Sequence, residues 1–578
     1  MTVLAVTAAL IALVAVLGMT AVLGLYGRRS ARTTSDFLVA SRGVTPWWNA
    51  SAVSSEYLSA AAYLGTAGLV LAYGTDMLWL PIAGTAGYVL LLAFVTAPLR
   101  RSGAYTVSDF AEWRLGSRTV RRIVTGCVCC IGWFYLLPQF QGAGVTLHLL
   151  TGAPAWTGWA VVVAVVLTAV ASGGMRSITA VQAVQFWVKL AAVAVPAVAL
   201  LALWNLDGRP GPVTDGPPSF ERTTRVQVHT DAAVTVPAAV TVTARGRVDG
   251  TAHDGAAVPL APGRHTIGRG TEVVFPAGAA VPHAERLPVQ DGAAWVTPFG
   301  RDAEHGLFRT CSALLGVLLG TMGLPHILMR FYTSTCGSAA RRTAAYVPCL
   351  LALFSVFPIL YGTLGRLYAP ELLMTGDTDA TLLLLPQRMF PGPAGALLTG
   401  LITAGAFAAF ISTSCGIVVA LAGTLSQCTG RSQCTGRPSG VTAFRVGVVV
   451  TLAVPVAVLP AIGPQGAATL VTMALCVSAC SLCPLLVLGI WWRGLTAAGA
   501  AAGLLAGGGL AAAAGVTRLF SGCWTGWPAA VLTQPTLVVA PAVFAVMVAV
   551  SLLTRHRVPR RADQALMKLH LPEDADAR

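Results

Sequence analysis

The sequence predicts an all-α polytopic membrane protein of about thirteen transmembrane helices, with a small β-rich insertion on the extracytoplasmic side. Three observations predict it. Of 578 residues, 55% are hydrophobic and 11% are charged, against about 25% charged in a soluble domain, and the mean hydropathy is +0.71. Apolar stretches long enough to cross a bilayer recur at roughly 3–26, 45–73, 78–98, 122–150, 156–172, 179–204, 307–330, 344–368, 394–425, 441–461, 466–491, 495–515 and 532–554. The basic residues fall in alternate loops. One set holds Arg28, Arg29, Arg32 and Arg42, then Arg100 to Arg122, Arg176, Arg330 to Arg342, Arg431 and Arg437, Arg493, and Arg555 to Arg561; the opposite short loops hold chiefly Arg388 and Arg518. This positive-inside pattern places the chain in the plasma (inner) membrane, N-terminus outside and C-terminus cytoplasmic. The net charge of +15 is then a topology signal, with no nucleic-acid partner. A soluble multi-domain enzyme is excluded by the same composition.

The first span has no basic residue before it and three arginines after it, the reverse of a signal peptide. The second span is polar for a membrane helix: Ser54, Ser55, Glu56, Tyr57 and Ser59 precede Gly65 and Gly68. An interruption here would free carbonyls for a cation and aim a half-helix end at a solute. Glu56 is costly in hydrocarbon; it reads equally as a site residue or as a carboxylate paired with an arginine. In the fourth span Gln139 and Gln141 lie beside Pro138, Gly142 and Gly144. Such amides line a pathway or hold helices together. The sixth span follows a glycine turn at Gly173 and Gly174 and carries Gln182 and Gln185 into the membrane.

Residues 205–306 are rich in Gly, Pro, Thr and Val. The run 234–244 alternates as a half-buried strand does, with Pro237 as a flaw, and Val273 to Phe275 is a second, shorter strand. His229, His253, His265, His283 and His305 match no known ligand spacing and read as solvated surface residues.

The seventh span is broken by Gly320, Gly323 and Pro325, much as the second is. Two interrupted helices at matching points of two halves point to a central transport site; Thr321 and Met322 fall beside this break. His326 reads as a proton relay or, more simply, as a partner of a carbonyl or of the Arg330 loop. The ninth span carries Ser412, Thr413 and Ser414 near its middle, with Gly416 beyond. Ser412, Thr413 and a carbonyl freed at Ala409 would give three neutral oxygens suited to Na⁺. The other reading is back-bonding to the preceding turn or helix-to-helix glue. Residues 426–437 repeat SQCTGR twice; the two cysteines are a metal or redox pair, or a neutral duplication. Most of the 13 cysteines lie in apolar spans, so no disulfide framework is expected. The tail turns acidic at Glu573, Asp574 and Asp576.

No phosphate-cradling Walker loop, HExxH zinc motif, paired intramembrane carboxylates or repeated channel filter is present. The chain is expected to be no enzyme and to use no cofactor beyond Na⁺ as coupling ion.

The stretches DFLVASRGVTPWWNA, SEYLSAAAYLGTAG, YTVSDFAEWRLGSR, GGMRSITAVQAVQ, GLPHILMRF and AFAAFISTSCGIVVALAG occur in order between residues 36 and 423. Together they resemble the sodium:solute symporter family, most of all its cation/acetate symporters. The resemblance implies a leucine-transporter-type fold of two inverted repeats and alternating access driven by Na⁺. It divides the chain into 1–44 (first helix and cytoplasmic loop), 45–204 (first repeat, helices 2–6), 205–306 (insertion), 307–491 (second repeat, helices 7–11), 492–554 (two further helices) and 555–578 (tail). It implies a Na⁺ site of the Ser55, Leu58 and Ala409 carbonyls with the Ser412 and Thr413 hydroxyls. The solute is expected to be acetate or another short monocarboxylate, met by Glu56, Tyr57, Gln139, Gln141, Thr321 and Met322. Many members carry an aspartate where this chain has Gln182, and a neutral amide supplies no such charge. Symport of proline or a sugar, or a non-transporting solute sensor, are the alternatives.

Overall fold

The computed structural model describes residues 3–28, 39–211, 216–228, 231–285, 287, 291–298, 305–429, 440–462, 466–520 and 526–571. Eleven helices among them are long and apolar enough to cross a membrane, against the thirteen expected. The difference arises at two places. The helix Ala155–Leu206 has 52 residues, about 78 Å at 1.5 Å per residue and over twice the ~30 Å hydrocarbon core. Gly174 interrupts it with non-helical backbone at φ 57°, ψ −154°. The stretch Ala61–Phe94 likewise holds two helices, Thr66–Tyr73 and Trp79–Phe94, separated at Gly74 with φ 72°. Any Cβ at Gly74 would overlap the Trp295 backbone.

The helix Pro393–Thr429 is the axis of the bundle, buried from Ile402 through Thr424. It packs on Ala155–Leu206, Val3–Arg28, Gly440–Val458 and Arg118–Thr151. The second span is broken as expected, into Pro46–Tyr57 and a segment from Ala61 through Tyr73. The seventh is broken into Gly306–Met322 and Pro325–Phe331. The break falls at Gly323 and Leu324, where a Cβ on Gly323 would crowd Ser478 Oγ.

Arginine-rich segments meet at one end of the bundle. Arg114 Nε donates to Gly489 O at 2.9 Å, Arg100 Nη2 to Thr335 O at 2.7 Å, and Arg101 Nη1 to Leu569 O at 3.2 Å. Arg493 pairs with Asp563 there at 2.8 Å.

The other end carries the insertion, an antiparallel sheet of seven strands in the order β1-β6-β3-β5-β2-β7, with β4 on β3. The strands are β1 Thr224–Gln227, β2 Ala232–Val236, β3 Val240–Val248, β4 Thr251–Leu260, β5 Gly263–Ile267, β6 Glu272–Phe275 and β7 His283–Ala284. The single strand expected over 234–244 is two, because Pro237 has no N–H for a ladder and the chain bends there before β3. Along β3 the residues Val242, Ala244 and Val248 face inward with Phe220, Val234 and Phe275; the Phe220 and Phe275 rings stack at 5.0 Å.

The histidines are not uniformly solvated. His283 on β7 is 1% exposed, because β7 is laid against β2 and the bundle. His265 is hydrogen-bonded to Asp249 at 2.7 Å, and the His305 ring stacks on Trp527 at 3.9 Å. His229, most of the SQCTGR repeat and the acidic end of the tail lie outside the described residues.

Two anchors hold the sheet to the bundle. Trp295, on the short helix Gly292–Val296, donates its indole N–H to Val70 O and Leu71 O at 2.9 and 3.1 Å. The Arg366 guanidinium sits 5.3 Å from the Trp295 ring centroid.

Candidate functional site

The site begins at the break in the second span. The Leu58 N–H closes the first half on Ser54 O at 3.0 Å. Leu58 then adopts φ −72°, ψ 73°, and the Ser59 N–H turns to Tyr57 O at 2.8 Å, an inverse γ-turn. The carbonyls of Ser55, Glu56 and Leu58 are thereby released inside the protein, where each needs a partner.

All three are satisfied by side chains. Thr413 Oγ1 donates to Glu56 O at 2.8 Å. Ser412 Oγ lies 3.1 Å from Ser55 O and 3.2 Å from Ala409 O. Lys189 Nζ, from Ala155–Leu206, donates to Ser55 O, to Leu58 O at 3.1 Å, and to Ser412 Oγ. Gln139 Oε1 accepts the Ala60 N–H at 2.9 Å, and its Nε2 donates to Tyr135 O.

Three of the five groups expected to hold Na⁺ converge between the broken helix and Pro393–Thr429. Ser55 O, Leu58 O and Ser412 Oγ surround the Lys189 ammonium, whose three N–H donors match three acceptors. Ala409 O is reached through Ser412, and Thr413 serves the neighbouring Glu56 carbonyl.

A second charged group sits beside the first. Arg330 and Glu56 are fully buried, and Arg330 Nε meets Glu56 Oε2 at 2.7 Å. The same guanidinium donates to Thr179 Oγ1 at 2.6 Å and to Gln182 Oε1, while Gln182 Nε2 donates to Ser412 O. Gln182 thus accepts from a cation, which a neutral amide oxygen can do. Glu56 Oε1 has no hydrogen-bond partner among the described residues and lies over Gly416. Any Cβ at Gly416 would overlap the carboxylate.

The expected solute-contacting residues are dispersed. Tyr57 lines a cavity of about 80 Å³ beside the break, with Ser59, Thr66, Tyr135, Phe354 and Thr472. Glu56 is not a wall of that cavity, because Arg330 holds it inside the protein. Gln139 is occupied by the Ala60 amide. Gln141 lines a different cavity of about 260 Å³, with Asp377, Asp379 and Arg518. Thr321 bonds back to Val317 O at 2.8 Å, and Met322 is buried; Val317, one turn earlier, reaches the first cavity. His326 makes a T-shaped contact with Tyr135 at 5.0 Å, and its Nε2 has no hydrogen-bond partner among the described residues.

Two functional residues escaped the sequence reading. Lys189 stands alone in the apolar sixth span, and an ionisable residue at such a position is itself a site signal. Arg330 was counted with the loop arginines, yet the short helix Pro325–Phe331 turns it inward.

A family model described as "Sodium:solute symporter family" matches residues 37–205 and 272–507, leaving out most of the sheet. The chain is 25% identical to the uncharacterized symporter YwcA of Bacillus subtilis over 85% of this chain and 83% of that one. It is 28% identical to an uncharacterized symporter of Cupriavidus necator over 91% and 88%. A monocarboxylic acid transporter of Corynebacterium glutamicum is 25% identical over 83% and 78%. Among solved structures, a Na⁺-coupled sialic acid symporter in a substrate-bound outward-open state superposes with TM-score 0.63 at 12% identity, covering 94% of this chain and 98% of that chain. Mhp1, a nucleobase-cation-symport-1 family transporter, gives TM-score 0.50 at 13% identity over 93% and 99%. Both have the leucine-transporter-type fold.

Proposed function

Because this chain belongs to the sodium:solute symporter family, we propose that it carries acetate or another short monocarboxylate across the plasma membrane by alternating access. Family membership and the transporter neighbours support Na⁺-coupled symport. The relative described as a monocarboxylic acid transporter supports the solute class.

The observation that carries the solute reading is the lining of the cavity at the broken helix. Tyr57, Ser59, Thr66, Thr85, Tyr135, Ser355 and Thr472 line it among apolar side chains, with Thr66, Thr85, Ser355 and Thr472 bonded back to carbonyls of their own helices, and among the described residues no charged side chain lines it. An amino acid such as proline would bring an ammonium with no carboxylate to meet it. A sugar would bring more hydroxyls than these walls can satisfy, and unpaired polar groups are costly. A short carboxylate needs a few donors at one end and an apolar wall at the other.

Uptake of labelled acetate into proteoliposomes, with imposed Na⁺ and H⁺ gradients in separate arms, tests this reading. Saturable accumulation that propionate competes away and proline does not is the expected result. Absence of uptake in both arms removes the monocarboxylate assignment. Acetate binding without counterflow would favour the sensor.

A further inference from the structure

The expected Na⁺ site already holds the amino group of a lysine. Ser55 O, Leu58 O and Ser412 Oγ, three of its five groups, are the acceptors of the Lys189 ammonium. Lys189 is fully buried. The charged neighbour facing it is Glu56 on the broken helix, which is itself paired with Arg330 at 2.7 Å. Lys189 is therefore the group that answers the freed carbonyls, and the carboxylate beside it among the described residues, Glu56, is already paired with Arg330. A Na⁺ ion brought among the same oxygens would lie within a few ångströms of a like charge in a dry surrounding, where repulsion is strong, and would take from the ammonium the acceptors that keep it buried.

We infer that Lys189 is a tethered cation that occupies this site in place of Na⁺, so that Na⁺ does not bind between Ser55, Leu58 and Ser412 in this chain. The inference rests on the symporter reading for its meaning, and it disagrees with the family's expected ion at this position. A free ion bridges the broken helix and Pro393–Thr429 only when its concentration is high enough. An ammonium carried by Ala155–Leu206 is held at a fixed effective concentration and bridges them whatever the salt outside.

The test uses radiolabelled Na⁺ and the purified full-length protein, with no solute present, so its result does not depend on whether acetate is the substrate. Binding is compared between wild type and Ser412→Ala, and between Lys189→Ala and Lys189→Ala/Ser412→Ala. The expected result is that Ser412→Ala leaves Na⁺ binding of the wild type unchanged. Lys189→Ala should gain a saturable component that the added Ser412→Ala weakens at least tenfold. If Lys189→Ala does not fold, as judged by gel filtration, the wild-type comparison alone decides. Saturable Na⁺ binding by the wild type that Ser412→Ala weakens tenfold or more overturns the inference.

Discussion

Arg330 is the single side chain on which most of the site leans. It reaches Glu56, Thr179 and Gln182 on two other helices. Arg330→Met would leave the Glu56 carboxylate buried without its cation, and breaking a buried pair from one side costs about 3–5 kcal/mol. Thermal denaturation in detergent should show that loss, and Glu56→Gln in the same background should recover part of it. A melting temperature equal to wild type would mean that the pair carries no structural weight. Glu56 announced itself in the sequence because a carboxylate in an apolar span must have a reason. Its partner lay 274 positions away, beyond what spacing can show. Ser412 and Thr413 were legible as adjacent hydroxyls on a membrane helix. Lys189 was present in the same text, but only the folded chain reveals that its ammonium arrives where an ion was expected.

Periodicity was legible where an element has one wet and one dry face. β3 shows this, with Val242 and Ala244 buried and Thr241 and Thr243 outside. β4 is exposed along most of its length, so it carries no apolar alternation to read. β7 is two residues long, too short for any pattern. Yet β7 places His283 against the bundle, and a pH dependence follows. Burial first, and then the positive Arg366, push the His283 ring down from 6.5 to about 4. Between those values the unfolded chain binds a proton that the folded ring refuses. The stability of this contact is therefore complete above pH 6.5 and is lost as pH falls toward 4, by up to about 3 kcal/mol. Hydrogen exchange of the sheet, measured from pH 7 to 4, should show protection falling in wild type and much less so in His283→Leu. Parallel behaviour of the two proteins would remove His283 as the cause.

The bundle as a whole was legible for a simple reason: hydrocarbon leaves no backbone group unsatisfied, so a chain that crosses it as helices must show each span as a long apolar run. Merged helices such as Ala155–Leu206 hide their turn in one glycine, which is why eleven candidate spans stand among the described residues where thirteen were read. The insertion's existence was legible from its Gly, Pro and Thr content, but its attachment was not, since Trp295 gave no sign of where its indole would go. That attachment has an outcome for pharmacology. Trp295 grips carbonyls at Val70 and Leu71 while Arg366, from the other half of the chain, covers its ring. The sheet is thus a handle fastened to both halves, at the end of the bundle away from the arginine-rich segments, which the arginine pattern leads one to expect outside. An antibody fragment that clamps the sheet to the bundle should arrest transport noncompetitively, without ever entering the solute's path, and Trp295→Ala should free the transporter from that inhibitor.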